Sequence, residues 1–330
     1  MFRQDRTNPS TAVSNWKGRK DSKKGHPSTA VSTWLNGGLF GGGFVYSTTG
    51  SPTLTEYSGY FSLKFTGSGS FTIDANPDEL SCDVLMIAGG GGSPAISGGA
   101  NGEAPAGGGA GGVQLITGFT TSTGAFYIGI GAGGSGDTPG SATDFTGQSN
   151  SGGGGANNVA SSGQHGLSKG GSGGGGCGYR YGAYGGGYGR NGDVGDSYGY
   201  HGSGGSNGYY GNYAASGGGG GATADAIAAE GGYSTYLRGG SGGAGLTNTY
   251  FDGTSIEYAG GGGGSSWNPG GTSATEQQGV GRGGGGNGSR WTAQTEGTAG
   301  TANTGGGSGS QISTTLAGGS GVVIIRVPVP

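Results

Sequence analysis

Aliphatic volume and charge are what this chain has least of. Hydrophobic residues make up 30% of it and charged residues 10%, against roughly 45–50% and about 25% in ordinary globular domains. A large-core enzyme domain needs more aliphatic volume than that. Cysteine is scarce as well: Cys82 and Cys177 are the only two, too few for the disulfide frame of a small secreted domain. Cys82 lies in an apolar run and is expected as a small core residue, while Cys177 sits among glycines. No segment approaches the roughly 18 apolar residues of a membrane span, so membrane insertion is not expected. The opening MFRQDRTNPS has no apolar signal-peptide region. Synthesis in the cytosol without the usual export route is therefore expected; a particle released by lysis fits that, as does a cytosolic protein.

Glycine fills the space, at 94 of 330 residues. Collagen is excluded, because runs of four glycines break the strict Gly-X-Y period of a triple helix. Such a composition suits low-complexity disorder unless the glycines themselves build an ordered core. Runs of four or five occur at 89–92, 152–155, 173–176, 217–221, 260–264 and 283–286. Glycine weakens helices and strands, so an ordered run needs an environment that only glycine can enter. The polyproline-II conformation supplies one, with three residues per turn, roughly 3.1 Å rise and no internal hydrogen bonds. Its N–H and C=O groups must then bond to neighbouring chains. Without Cβ atoms, such rods pack side by side in layers. The many runs predict a bundle of short antiparallel and parallel rods whose core is backbone.

Around the runs the pattern is β. Tyr60-Phe-Ser-Leu-Lys-Phe65 and Ser70-Phe-Thr-Ile73 flank Gly67-Ser-Gly69 and are expected as a hairpin. Cys82-Asp-Val-Leu-Met-Ile-Ala88 is mostly apolar, which predicts a central strand. Val113-Gln-Leu-Ile116 and Ala125-Phe-Tyr-Ile-Gly-Ile130 add two more. Gly321-Val-Val-Ile-Ile-Arg-Val327 is a further central-strand candidate that brings the two ends of the domain side by side. The fold class expected is all-β with almost no α-helix: a small β framework closed by the C-terminal strand and supporting a bundle of polyglycine-II rods.

The net charge of −3 conceals an asymmetry. Arg3, Arg6, Lys17, Arg19, Lys20, Lys23 and Lys24 face only Asp5 and Asp21 within residues 1–24, while the rest of the chain is acidic. A basic arm on an acidic body follows. Lys/Arg clusters neutralise phosphates, but this arm is short and its body would be repelled, so nucleic acid is not the expected partner. The arm holds a repeat. Asn8-Pro-Ser-Thr-Ala-Val-Ser-Asn-Trp16 recurs as His26-Pro-Ser-Thr-Ala-Val-Ser-Thr-Trp34. Pro9, Val13 and Trp16 thus correspond to Pro27, Val31 and Trp34, and read as two copies of one docking motif for a protein partner, or as a duplicated linker. The expected organisation is a basic anchoring arm over 1–36, a transitional segment over 37–58 and a glycine-rich domain over 59–330. Within that domain the β framework is placed at 59–132 and 318–328, and the rods with variable loops at 133–317.

Motifs for chemistry are weak. Gly-x-Gly-x-x-Gly patterns recur by chance, and none opens a helix after a strand as a dinucleotide site requires. Gly170-Gly-Ser-Gly-Gly174 and Gly239-Gly-Ser-Gly-Gly243 have nucleophile-elbow spacing, but neither follows an apolar strand. His26, His165 and His201 lack zinc-ligand spacing. Asp74, Asp78 and Glu79 surround a turn and are expected to be solvated. Asn287-Gly-Ser289 is a formal glycosylation sequon that reads as a plain turn. No enzyme, cofactor or metal is expected.

The stretches Phe65-Thr-Gly-Ser-Gly-Ser-Phe-Thr-Ile73 and Asp83-Val-Leu-Met-Ile-Ala-Gly-Gly-Gly-Gly92 resemble the glycine-rich domain of phage tail-fibre and adhesin proteins. So do Gly107-Gly-Gly-Ala-Gly-Gly-Val113, Tyr127-Ile-Gly-Ile-Gly-Ala-Gly-Gly134 and Gly319-Ser-Gly-Val-Val-Ile-Ile-Arg326. The resemblance spans roughly residues 59–330. It implies a small β framework, a polyglycine-II sandwich and variable distal loops that contact a host-cell receptor. Residues 1–36 lie outside it.

Tyrosine is the informative side chain. Tyr179, Tyr181, Tyr184, Tyr188, Tyr198, Tyr200, Tyr209, Tyr210 and Tyr213 crowd one segment. A rigid ring with a hydroxyl suits exposed binding loops, and Arg180, Arg190 and His201 offer partners for anionic groups. The alternative is that these rings cover rod ends. The expected function is a non-enzymatic phage virion protein, a tail-fibre tip or adhesin assembled in the host cytoplasm and released by lysis. It would bind a host-surface polysaccharide or outer-membrane protein, and other virion proteins, as a symmetric oligomer, through its arm. The alternative is a decoration or connecting protein of capsid or tail that recognises nothing.

Overall fold

A computed structural model describes residues 44–95, 103–120, 122–156, 171–179, 182–183, 196–198, 206–207, 213–232, 236–268, 275–291 and 294–329. Among these there is no helix, and the architecture is all-β. Eleven strands form two sheets: β1 (Val45–Thr49), β2 (Thr53–Tyr57), β3 (Tyr60–Phe65), β4 (Gly69–Ala75), β5 (Ser81–Ile87), β6 (Val113–Thr120), β7 (Gly124–Gly129), β8 (Thr143–Phe145), β9 (Gln148–Asn150), β10 (Asp196–Tyr198) and β11 (Val322–Pro328). One sheet runs β1-β4-β7-β8-β9 and the other β10-β6-β5-β11-β3-β2. Both remain open. The framework takes in β1 and β2, upstream of residue 59.

Alternation along the strands sorts side chains into two cores. Cys82, Val84 and Met86 of β5 and Val323, Ile325 and Val327 of β11 pack against Phe71, Ile73, Phe126, Ile128 and Phe145 of the five-stranded sheet. Their neighbours Leu85, Ile87, Val322 and Ile324 point the other way, onto Ala110, Ala222, Tyr258 and Ala259. Both faces of β5 and β11 are therefore covered, which is why these strands read as continuous apolar runs. β11 lies between β5 and β3, so the end of the domain closes against its start.

The expected hairpin over 60–73 is not formed. β3 pairs with β2 and β11, whereas β4 pairs with β1 and β7 in the other sheet. Phe61, Leu63 and Phe65 thereby oppose Phe71 and Ile73 across one core. In a hairpin they would lie side by side, with nothing to cover them. The hairpin that does form joins β2 to β3 through Ser58 and Gly59, with φ of 46° and 78°. Two left-handed central residues are what a tight type I′ turn requires.

β5 runs into the glycine core without turning. From Ala88 to Ser93 each N–H donates to another segment of the chain at 2.8–3.1 Å, with a period of three. Ala88 and Gly91 donate to Gly112 and Gly109, Gly89 and Gly92 to Ser141 and Thr138, and Gly90 and Ser93 to Gly319 and Leu316. The carbonyls of this rod accept in turn from Gly153 and Ala156, from Gly134, and from Ser308. One rod thus bonds to six neighbours. The adjacent rod repeats the pattern: Gly107 and Ala110 donate to Gly217 and Gly220, Gly108 and Gly111 to Ser308 and Gly305, and Gly109 and Gly112 to Gly154 and Ser151. Bonding outward every third residue, in every lateral direction, is polyglycine-II packing.

That packing explains the composition. A Cβ built on Gly91, Gly108 or Gly262 would lie under 3.0 Å from a carbonyl of a neighbouring rod. Larger residues enter rods only where there is somewhere to go. Ala110 and Ala222 face the apolar outer surface of the six-stranded sheet. Ser93, Ser172, Ser265 and Ser310 donate hydroxyls to the carbonyls of Ala106, Gly221, Pro105 and Gly263. Asn287 belongs to such a rod as well, since Gly286 and Gly288 donate to Gly307 and Gly279. It is not in the expected plain turn, because its side chain accepts from Gly281 N–H at 2.9 Å and so substitutes for a rod neighbour.

Candidate functional site

Rod direction decides where the loops emerge. Segments 88–93, 151–156, 259–266 and 305–311 run away from the sheets, and 107–112, 215–222, 239–245 and 317–321 run back, as the antiparallel bonding between the two sets requires. The far end of the bundle therefore gathers the turns that link outgoing to returning rods. Short strands cap it. Gly178–Tyr179 pairs with Glu103–Ala104 and Gly182–Ala183, while Ala214–Ala215 pairs with Ser206–Asn207 and Ser266–Trp267. Ala104, Ala214, Trp267 and Ile312 form a small apolar cluster there.

The tyrosine segment is only partly in view. Tyr179 lies in a far-end strand, and Tyr213 directly precedes another. Tyr198 belongs to β10, the edge strand of the six-stranded sheet, and faces Val113 of β6 across the ladder. Tyr179 and Tyr213 thus stand at the far end and Tyr198 at the sheets, so these three tyrosines do not share one patch. Arg180, Tyr181, Tyr184, Tyr188, Arg190, Tyr200, His201, Tyr209 and Tyr210 lie outside the described residues, as do Pro9, Val13, Trp16, Pro27, Val31 and Trp34.

A second site, which the sequence motifs did not single out, stands at the same end. Trp267 is buried, and Trp291 packs against it with ring centroids 6.1 Å apart, yet Trp291 remains 40% exposed. A tight loop presents it. Arg290 and Thr295 exchange two backbone hydrogen bonds of 3.0 and 3.2 Å, and Gln294 N–H donates to the Trp291 carbonyl. Trp291 N–H donates to the Ser266 carbonyl and to Oε1 of the buried Glu276. The Arg290 guanidinium donates to the Glu276 carbonyl and the Thr295 hydroxyl at 3.3 and 3.1 Å. Beside the loop opens a cleft of about 270 Å³, lined also by Ser289, Glu296, Gln311, Ile312 and Ser313. Two tryptophans directly after or near the glycine runs at 260–264 and 283–286, in otherwise polar stretches, were the available signal.

Elsewhere the candidate chemistry resolves into structure. Ser172 and Ser241 are buried in rods, where Ser172 donates to the Gly221 carbonyl and Ser241 accepts from Val280 N–H. Cys82 packs in the main core, and burial followed by the Asp83 charge pushes its thiol up to about 12. Cys177 is buried, and its thiol donates to the carbonyls of Ala104 and Gly178 at 3.2 and 3.3 Å. Among the described residues no group of three His, Cys, Asp or Glu side chains is placed to hold a metal ion, and no helix is long and apolar enough to cross a membrane. At the sheet end, Arg326 bonds Asp83 at 2.6 Å and lies 3.9 Å and 4.5 Å from the Tyr250 and Tyr60 ring centroids. This sandwich ties the 246–258 hairpin to the outer face of the six-stranded sheet.

No curated protein matches the chain. A family model described as a glycine-rich domain matches residues 65–328, from the end of β3 to the end of β11. The chain belongs to that glycine-rich domain family.

Proposed function

We propose that the chain is a non-enzymatic virion protein of a phage, a tail-fibre tip or adhesin that binds a host-surface polysaccharide or outer-membrane protein. The observation that carries this reading is the direction of the rods. A backbone-bonded bundle with its sheets at one end holds turns of unrelated length and sequence at the other. Such a scaffold tolerates change in those turns, since rod packing depends on glycine and not on loop residues. The residue classes in the tyrosine segment, rigid rings beside Arg180, Arg190 and His201, suit recognition. The basic arm is the anchor in this reading. Its two Trp peptides, offset by 18 residues, reach sites at most roughly 60 Å apart, compatible with equivalent surfaces on a symmetric virion oligomer.

The test compares phage particles carrying the chain with Tyr198, Tyr200, Tyr209 and Tyr210 replaced by Ala against the parent particles. Adsorption to host cells is expected to fall while the copy number of the protein, counted by electron microscopy, is unchanged. A chain lacking residues 1–36 is expected to be absent from particles. Copies repeated across the capsid surface, with adsorption unaffected by the tyrosine changes, would replace this reading by that of a decoration protein.

A further inference from the structure

We propose that the far-end cleft beside Trp291 binds a single neutral hexose unit of a glycan, with the indole face as its stacking platform. This rests on the reading of the chain as a surface-binding protein, but it concerns a site separate from the tyrosine segment.

The first observation is the exposed indole. Trp291 is 40% exposed although buried Trp267 lies beside it. Apolar area left in water is unfavourable, so stability alone favours folding the ring inward. The ring nevertheless stands at the cleft wall. Both hydrogen bonds from the backbone N–H of Trp291, and the Arg290–Thr295 backbone pairing, anchor the main chain beneath the ring, and contact with Trp267 supports one side of it. Gln294 sits in the left-handed region at φ 48°. A ring held open in advance loses little freedom on binding. The negative face of an indole attracts the weakly positive C–H face of a sugar ring.

The second observation is a concentration of buried polar atoms without partners. Of nine such atoms among the described residues, five belong to this corner: Ser266 Oγ, Trp267 Nε1, Asn268 Oδ1, Ser289 Oγ and Arg290 Nε. Ser289 is only 3% exposed and lines the cleft. A buried polar group left unpaired is costly, and two of these five residues, Ser289 and Arg290, line the cleft, where a ligand rich in hydroxyls supplies both donors and acceptors. The rim offers more through Gln294, Gln311 and Ser313.

Charge and size narrow the class. Arg290 and Glu296 contribute one charge of each sign. Two of the five N–H donors of the Arg290 guanidinium are engaged by Glu276 and Thr295, and the Glu296 carboxylate on the same wall opposes an anionic ligand. That favours a neutral sugar. A volume of about 270 Å³ falls just under the roughly 300–1,000 Å³ of drug-sized pockets, and suits one ring of a chain that continues into solvent.

The experiment titrates the purified full chain with the methyl pyranosides of glucose, galactose, mannose and N-acetylglucosamine, and with methyl glucuronide. Binding is read by saturation-transfer NMR and tryptophan fluorescence. At least one neutral glycoside is expected to bind saturably. Trp291→Ala is expected to weaken it roughly tenfold or more, as for an aromatic anchor at a pocket centre. Trp291→Phe should retain most of the affinity, and Gln294→Ala should lose part of it with the fold intact. No saturable binding by any neutral glycoside at tens of millimolar overturns the proposal. So does binding indifferent to both the Trp291→Ala and Gln294→Ala changes, or a preference for the glucuronide. Particles that still adsorb through the tyrosine segment while the chain binds no glycoside would refute the cleft and leave the receptor-binding reading standing. Glycoside binding by a chain that plays no part in adsorption would support the cleft and remove that reading.

Discussion

A single methyl group placed inside the rod bundle tests its packing directly. Gly91 lies at the middle of the 88–93 rod. It donates to the Gly109 carbonyl at 2.8 Å and accepts from Ser308 N–H at 3.0 Å. In Gly91→Ala the new Cβ points at Gly154, with its carbonyl carbon at 2.5 Å and Gly155 N at 2.9 Å. These are backbone atoms of a rod that is itself bonded on several sides, so no side chain can rotate away. Relief requires moving a whole rod. Overpacking of a tight core costs about 1–3 kcal/mol, and weakening two backbone hydrogen bonds adds about 1 kcal/mol each. The expected loss is therefore about 3–5 kcal/mol, a large share of the roughly 5–15 kcal/mol that holds an ordinary domain folded. For a chain of this size that lowers the melting temperature by on the order of 10 °C. Gly67→Ala is the matched control, because nothing lies within 4 Å of its Cβ and its φ is not in the left-handed region. There the loss of unfolded-state freedom predicts a small gain, about 0.4–1 kcal/mol. Thermal and denaturant unfolding followed by circular dichroism would measure both. If Gly91→Ala melts within a degree or two of the parent, the rods are not close-packed through their glycines and the account of the composition fails.

Three further outcomes follow from the same structure. Arg326→Ala should destabilise by about 2–3 kcal/mol, since it removes two ring contacts and leaves Asp83 with only the Gly118 N–H as partner, and Arg326→Lys should recover only part of this. A Lys variant equal to the parent would mean that the flat stacking contributes nothing. Burial, assisted by the charges of Glu56, Asp83 and Asp252 respectively, pushes Tyr46, Cys82 and Tyr258 up to about 12 from ordinary values of 10.0, 9.0 and 10.0. The unfolded chain releases these protons first, so stability is unaffected below about pH 9 and falls as pH rises from there towards 12. A denaturation midpoint that is level or rising between pH 9 and 11 would contradict their burial. Finally, the far-ultraviolet spectrum of the whole chain should lack a strong helical minimum near 222 nm, and its appearance would exclude the fold.

Some of this was legible without coordinates because the physics is local. A strand covered on both faces must be apolar at every position, so β5 and β11 announce themselves as central in Val84-Leu-Met-Ile87 and Val322-Val-Ile-Ile325. A run such as Gly260–Gly264 admits few ordered environments, and lateral bonding between rods is the one that satisfies its backbone. The hairpin was misjudged for the opposite reason. Gly67 and Gly69 mark a change of direction, but nothing near them specifies whether Ser70–Ile73 folds back on β3 or crosses to β1.

Composition and spacing alone therefore determined the kind of core: glycine backbone in rods, with a few strands apolar on both faces to hold them. Which rod neighbours which, and in what direction, was decided by tertiary packing, because every glycine run is chemically equivalent to every other. Only the strands, the alanines that face them and the serines that bond across distinguish one rod from the next. The cleft depends wholly on that choice. Trp267, Glu276, the Arg290–Trp291 pair and Gln311 stand at the ends of four different rods. They meet because outgoing and returning rods are sorted to one side, an arrangement fixed by hydrogen bonds between segments far apart in the chain.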